Sequence, residues 1–151
     1  MFPTDASGSY VGARDSDAAV ALIINGGKFL IIRRKLRDGD PWSGDMALPG
    51  GYRKSGETSA EAASRESEEE VGIRPEGLRY LGTYTSLKSL VTVNAYLSTL
   101  PDCPEPVAGP EVSEAFWASF DNLERGEACF NLGNYRIWGL TYRILSDYLR
   151  A

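Results

Sequence analysis

Apolar residues form two kinds of run along this chain, short β-branched stretches and one longer alanine-rich stretch, and the two predict different elements. Residues 18–24 and 28–33 are continuous apolar runs of strand length separated by Asn25, Gly26 and Gly27, which predicts a hairpin. Residues 58–71 carry Ala60, Ala62 and Ala63 with neither glycine nor proline, which predicts a helix. Thr58 stands at its N-cap with Glu61 three residues on, the spacing of a capping box. Ala60, Ala63, Ser67 and Val71 fall on one stripe suited to packing on a sheet. Residues 78–86 and 90–100 read as two further strands, 101–110 as a proline-rich loop and 115–119 as a short strand. Residues 137–149 predict a closing helix with Trp138, Tyr142, Leu145 and Leu149 on one face. The small, polar residues 1–16 predict a flexible arm, leaving 17–151 as a single domain. The pattern of elements fits α/β or α+β, with no internal repeat.

Charge narrows the partners. The formal net charge of −5 opposes non-specific binding to nucleic acid or to an anionic membrane. No apolar run approaches the roughly 18 residues of a membrane span, and the N-terminus lacks the basic-then-apolar order of a signal peptide. The expectation is a soluble, cytoplasmic protein. Cys103 and Cys129 have no C-x-x-C spacing, so they read as plain thiols rather than a zinc site or disulfide.

The acidity is concentrated. Between Glu57 and Glu70 the chain holds six glutamates and one arginine. On a helix Glu66, Glu69 and Glu70 stand at i, i+3 and i+4, so their carboxylates share a face. Like charges that close repel, and a hard divalent cation with a preference for oxygen is the natural counter-ion. A solvated acidic face is the plain alternative. Against it, Gly51, Glu57, Arg65, Glu66, Glu69, Glu70 and Gly72 stand in the register G-x5-E-x7-R-E-U-x-E-E-x-G-U, where U is a bulky apolar residue. This run resembles the Nudix box, departing at the first U, where Ser67 stands. Arg65 beside Glu57 is suited to bracing the neighbouring carboxylates. Leu48, Pro49, Gly50 and Gly51 read as a turn into the helix, where glycine lets the backbone approach an ion or phosphate. The resemblance implies the Nudix fold, an α/β/α sandwich with a mixed central sheet. It also implies that the carbonyl of Gly50 joins Glu66, Glu69 and Glu70 as a metal ligand.

Magnesium held by carboxylates and substrate phosphates, with manganese as a substitute, points to hydrolysis of a diphosphate by activated water. The chain has no histidine, so a carboxylate must serve as base, with Glu66, Glu111 and Glu114 as candidates. Glu57, Arg65, Glu69 and Glu70 complete the catalytic set. Arg33 and Arg34, with Lys35, are suited to a phosphate, or equally form a solvated basic edge. Trp42 is suited to stacking on a base or to anchoring its loop, and Gly51, Tyr52 and Lys54 line the approach to the box. Gly44, Leu48, Pro49, Gly50 and Gly51 are similar to part of the signature of coenzyme A diphosphatases, although Asp40 stands where that signature has arginine. The stretches 111–117 and 135–141 also resemble that subgroup. Coenzyme A or a related conjugate is therefore the substrate the resemblance implies. The alternatives are modified nucleoside triphosphates, ADP-ribose or sugar nucleotides, or a non-catalytic nucleotide-sensing module, which the complete carboxylate set opposes. Kinship also implies a homodimer.

Overall fold

The computed structural model describes residues 15–39, 44–85 and 90–151. Expectations for the N-terminal arm before residue 15, for Asp40 and Trp42, and for residue 86 lie outside the described residues.

Strands β1 (Ala18–Asn25) and β2 (Lys28–Arg34) form the expected hairpin, turning at Gly26 with φ +57°. They pair only at Ile24↔Phe29 and Asn25↔Lys28, and then diverge. Two short strands fill the gap: β3 (Met46–Ala47) pairs with β2 and β4 (Gly50–Tyr52) pairs with β1. Beyond β1 lie β6 (Thr92–Thr99), parallel to it, and β5 (Arg79–Thr85) at the edge. Beyond β2 lies β7 (Val112–Ser119), antiparallel. The result is a mixed seven-stranded sheet.

Both faces of this sheet are covered, which is why β1 and β2 read as continuous apolar runs rather than alternating ones. On one face Ala19, Ala21, Ile23, Leu30 and Ile32 pack against Ala62, Ala63 and Val71 of α1 (Ser59–Val71). On the other, Leu22, Ile24, Phe29 and Ile31 meet a small antiparallel sheet and a second helix. That sheet comprises β8 (Glu124–Gly126), β9 (Cys129–Leu132) and β10 (Tyr135–Trp138), and the helix is α2 (Gly139–Arg150). Each fully buried Phe, Leu or Ile contributes about 1.5–3 kcal/mol, so burial on both faces holds the two layers onto the sheet. The architecture is the expected α/β sandwich with a mixed sheet.

Several boundaries differ from expectation. Helix α2 begins at Gly139, whose φ of +60° breaks the chain away from β10, so Ile137 and Trp138 belong to a strand. Its buried side is Thr141, Ile144, Leu145 and Ser146, and Leu149 is exposed. Strand β7 starts three residues earlier than predicted, because its first residues pair with the far end of β2. Gly50 and Gly51 lie in a strand rather than a turn. In α1, Ala62 is buried and Ala60 only partly so.

Candidate active site

The site is built where β4 crosses α1 inside the divergence of β1 and β2. Both glycines are there for close approach. A Cβ on Gly50 would fall 2.2 Å from the Ala19 carbonyl oxygen, whereas one on Gly51 would fall 2.7 Å from Cδ of Glu66. The Glu66 carboxylate therefore packs directly on the Gly51 backbone. The Gly50 N–H donates to Glu70 Oε1 at 2.7 Å. Glu70 is buried, and burial, ahead of the neighbouring Glu66 and Glu69 charges, pushes its carboxyl up to about 8 against the pull of the Gly50 N–H and Arg34.

Arg65 gathers the other carboxylates. Its Nε and Nη2 donate to the two oxygens of Glu57 at 2.7 and 3.0 Å, a bidentate pair. Nη1 donates to Glu66 Oε1 at 2.8 Å and to Glu69 Oε2 at 3.2 Å. Nη2 also reaches the Tyr52 carbonyl at 3.1 Å, tying β4 to the helix. Hydrogen bonds from Arg65, and then from the Lys54 N–H, hold Glu57 down to about 2.

Local rules fix both ends of α1. The capping box forms as predicted, with Glu61 N–H donating to Thr58 Oγ1 and Thr58 N–H to Glu61 Oε1. Asp15 adds an acid at this positive end, accepting from Ser59 N–H and Oγ. At the other end Gly72 closes the helix in the left-handed conformation. Val107 N–H and Gly109 N–H then satisfy the carbonyls of Val71 and Glu70, both at 2.9 Å. A Cβ on Gly109 would meet the Glu69 carbonyl oxygen at 2.2 Å, so the proline-rich loop docks backbone to backbone before delivering Glu111. Ser67, at the position where the box asks for an apolar residue, is fully buried, and its hydroxyl finds no hydrogen-bond partner among the described residues.

The structure brings together Gly50, Gly51, Glu57, Arg65, Glu66, Glu69 and Glu70, with the Tyr52 and Lys54 backbones and the charge of Arg34 at the margin. The Tyr52 ring itself is exposed. Glu111 stands at the head of β7, gripped by Arg37 Nη2 at 2.6 Å. Arg33 and Glu114 are cross-strand partners and point to the sheet face opposite α1. There Tyr135 O–H donates to Glu114 Oε1 at 2.5 Å. Asp15 and Gly109 were not signalled by the sequence, and Tyr135 only as part of the 135–141 stretch without its partner, since each acts through a residue more than 20 positions away.

A divalent cation suits these residues. The donors are hard oxygens, a buried carboxyl sits among like charges, and Gly51 keeps the space beside Glu66 clear. Among the described residues no three carboxylates converge as a ready cage, because Glu66 and Glu69 turn to Arg65 and Glu70 turns to Gly50.

Known proteins match this arrangement. An ADP-ribose pyrophosphatase of Methanocaldococcus jannaschii is 42% identical over 69 residues, 46% of this chain and 39% of that protein. A CMP-5'-(N-acetyl-N-hydroxy-3-aminopropyl)phosphonate hydrolase of Streptomyces rubellomurinus is 34% identical over 98 residues, 62% of this chain and 46% of that protein. The matches thus span less than half the length of these curated relatives. The crystal structure of a MutT NUDIX hydrolase from Burkholderia pseudomallei superimposes with a TM-score of 0.69 at 25% identity, covering 89% of this chain and 98% of that one. The family described as the NUDIX domain matches residues 14–137. With the box helix, the glycine strand and the mixed sheet all in place, the chain belongs to the Nudix family of hydrolases.

Proposed function

We propose that this domain hydrolyses the diphosphate linkage of a nucleoside diphosphate derivative of the ADP-ribose type, using a divalent cation held by Glu66 and Glu70, with Glu69 and the Gly50 carbonyl completing the set. The observation that carries this reading is the packing of the Glu66 and Glu70 carboxylates on the Gly50 and Gly51 backbone, with Glu70 buried beside a like charge. Magnesium bound there would neutralise phosphate charge and acidify a water molecule. Arg65 and Glu57 keep Glu66 and Glu69 oriented. Glu114 has Tyr135 on one oxygen and Arg33 beside the other, so we favour Glu66 and Glu111 as candidates for the base. Coenzyme A, implied by the sequence signature, takes second place, because the M. jannaschii relative is named for ADP-ribose and the Streptomyces relative for a CMP conjugate.

The test is turnover by purified protein with magnesium on ADP-ribose, coenzyme A, nucleoside triphosphates, dinucleoside polyphosphates and NADH. ADP-ribose is expected to give AMP and ribose 5-phosphate at the highest kcat/KM. Glu70→Gln, which keeps the size and the Gly50 hydrogen bond, is expected to lower magnesium-dependent turnover by about a hundredfold or more while the protein stays folded. Absence of turnover on the whole panel, or full activity of Glu70→Gln, overturns the reading; coenzyme A as the best substrate overturns its ADP-ribose part.

A further inference from the structure

On the sheet face away from α1, three side chains form a relay that the metal site does not use. Arg33 of β2 lies opposite Glu114 of β7, with Nη1 3.6 Å from Glu114 Oε2. The other carboxylate oxygen, Oε1, takes the Tyr135 hydroxyl at 2.5 Å. Tyr135, at the start of β10, stacks at a tilt on Phe116 of β7, ring centroids 5.5 Å apart, so its ring is fixed by packing and its hydroxyl by Glu114. The cluster sits at the same end of the sheet as the carboxylates. Arg33 is paired with Met46 of β3, four residues before Gly50, and is followed by Arg34, whose charge reaches Glu70. Arg33 and Glu114 keep 44% and 40% of their side chains exposed, so a ligand can reach the guanidinium. At 3.6 Å the ion pair is loose, and among the described residues it leaves the remaining N–H groups of Arg33 open to a phosphate.

We propose that Tyr135 is a positioning residue that fixes Glu114, and through it aims the Arg33 guanidinium at a phosphate of the substrate. The inference rests on the reading that this domain takes a diphosphate. By occupying Oε1, the tyrosine hydroxyl locks the carboxylate plane and presents Oε2 to Arg33. Without it the carboxylate rotates and the guanidinium loses its fixed bearing. The plain alternative is that Tyr135 only fills the layer beside Phe116, a role a phenylalanine performs equally well.

Tyr135→Phe, Arg33→Ala and the double variant separate these cases. In Tyr135→Phe, loss of one aimed contact should raise KM for ADP-ribose about three- to tenfold with kcat changed less than about twofold. In the Arg33→Ala background the same substitution should do almost nothing. Binding of α,β-methylene-ADP in the presence of magnesium, measured calorimetrically, should weaken by the same factor, again only when Arg33 is present. Unchanged KM and affinity in Tyr135→Phe overturn the proposal, as does an equal effect with and without Arg33, or a fall in Tm with no shift in KM. If no substrate is turned over but the analogue binds and shows the coupling, the hydrolase reading falls and this one stands. If wild-type protein binds no analogue, both fall.

Discussion

Two adjacent glycines should respond to the same substitution in opposite ways. Gly50→Ala places a Cβ 2.2 Å from the Ala19 carbonyl oxygen and 2.6 Å from Val20 Cα, both backbone atoms of the central strand. Neither can move without disturbing β1, so the cost belongs at the upper end of overpacking, about 3 kcal/mol, or about 6–12 °C of Tm for a chain of this size. In Gly51→Ala the new Cβ meets Cδ, Oε2 and Cγ of Glu66 at 2.7, 2.9 and 3.1 Å, all on one flexible side chain. Gly51 is absent from the positive-φ glycines, so alanine fits the backbone, and the lost chain entropy of the unfolded state offsets part of the crowding. Relief to an ordinary contact of about 3.5–4 Å requires the carboxylate to move about 1 Å. A displacement of that size at a reacting centre costs on the order of a hundredfold in rate. Thermal unfolding by circular dichroism, manganese affinity by calorimetry and turnover of ADP-ribose together decide the matter. Gly50→Ala should lose stability. Gly51→Ala should keep its Tm within about 3 °C and lose turnover and metal affinity. Turnover within about threefold of wild type in Gly51→Ala, or a Tm loss matching that of Gly50→Ala, refutes the packing of Glu66 on Gly51 as the basis of the site.

Two further outcomes concern α1 and the residue just before its cap. Glu57 has a folded pKa lowered from 4.5 to about 2, so its contribution to stability is present above 4.5 and is lost as the pH falls through about 2. Glu57→Gln should therefore melt below wild type at pH 7 and the gap should close between pH 4.5 and 2; a gap constant across that range contradicts the Arg65 pairing. Ser67→Ala removes a buried hydroxyl that has no partner among the described residues and substitutes a better helix former, so it should stabilise by about 1 kcal/mol, or about 2–4 °C in a thermal melt. A lower Tm would show that the hydroxyl is satisfied.

The box helix was legible because its determinants are local: Thr58 and Glu61 make the cap, and Arg65 on the helix reaches back eight residues to Glu57 just before the cap. The hairpin was legible because Gly26 and Gly27 sit between two strands buried on both faces. Strands β3, β4 and β8 were not, since two or three residues carry no period, and β3 and β4 take their form from partners more than ten residues away. The same reason hid the strand under Ile137 and Trp138, whose apolar character fits a helix equally well until Gly139 interrupts it. Within the site, residue types announced the carboxylates and Arg65. They could not announce which sheet face Glu114 takes, because a strand assigns faces by alternation from an anchor the sequence does not mark.

The divergence of β1 and β2 also bears on how the molecule assembles. Only two residue pairs join these neighbours in sequence, whereas Ala18 finds Val93 and Lys28 finds Ser119. The central strands must therefore close long loops before they gain most of their partners, which slows folding. On a nascent chain β1 lacks its parallel partner until β6 has been synthesised, and β2 lacks its longest one until β7 has. The glycine strand is seated only once this frame exists, so the carboxylate site matures late. A cation bound there would act as a latch on unfolding, lengthening the lifetime of the finished domain without hastening its formation.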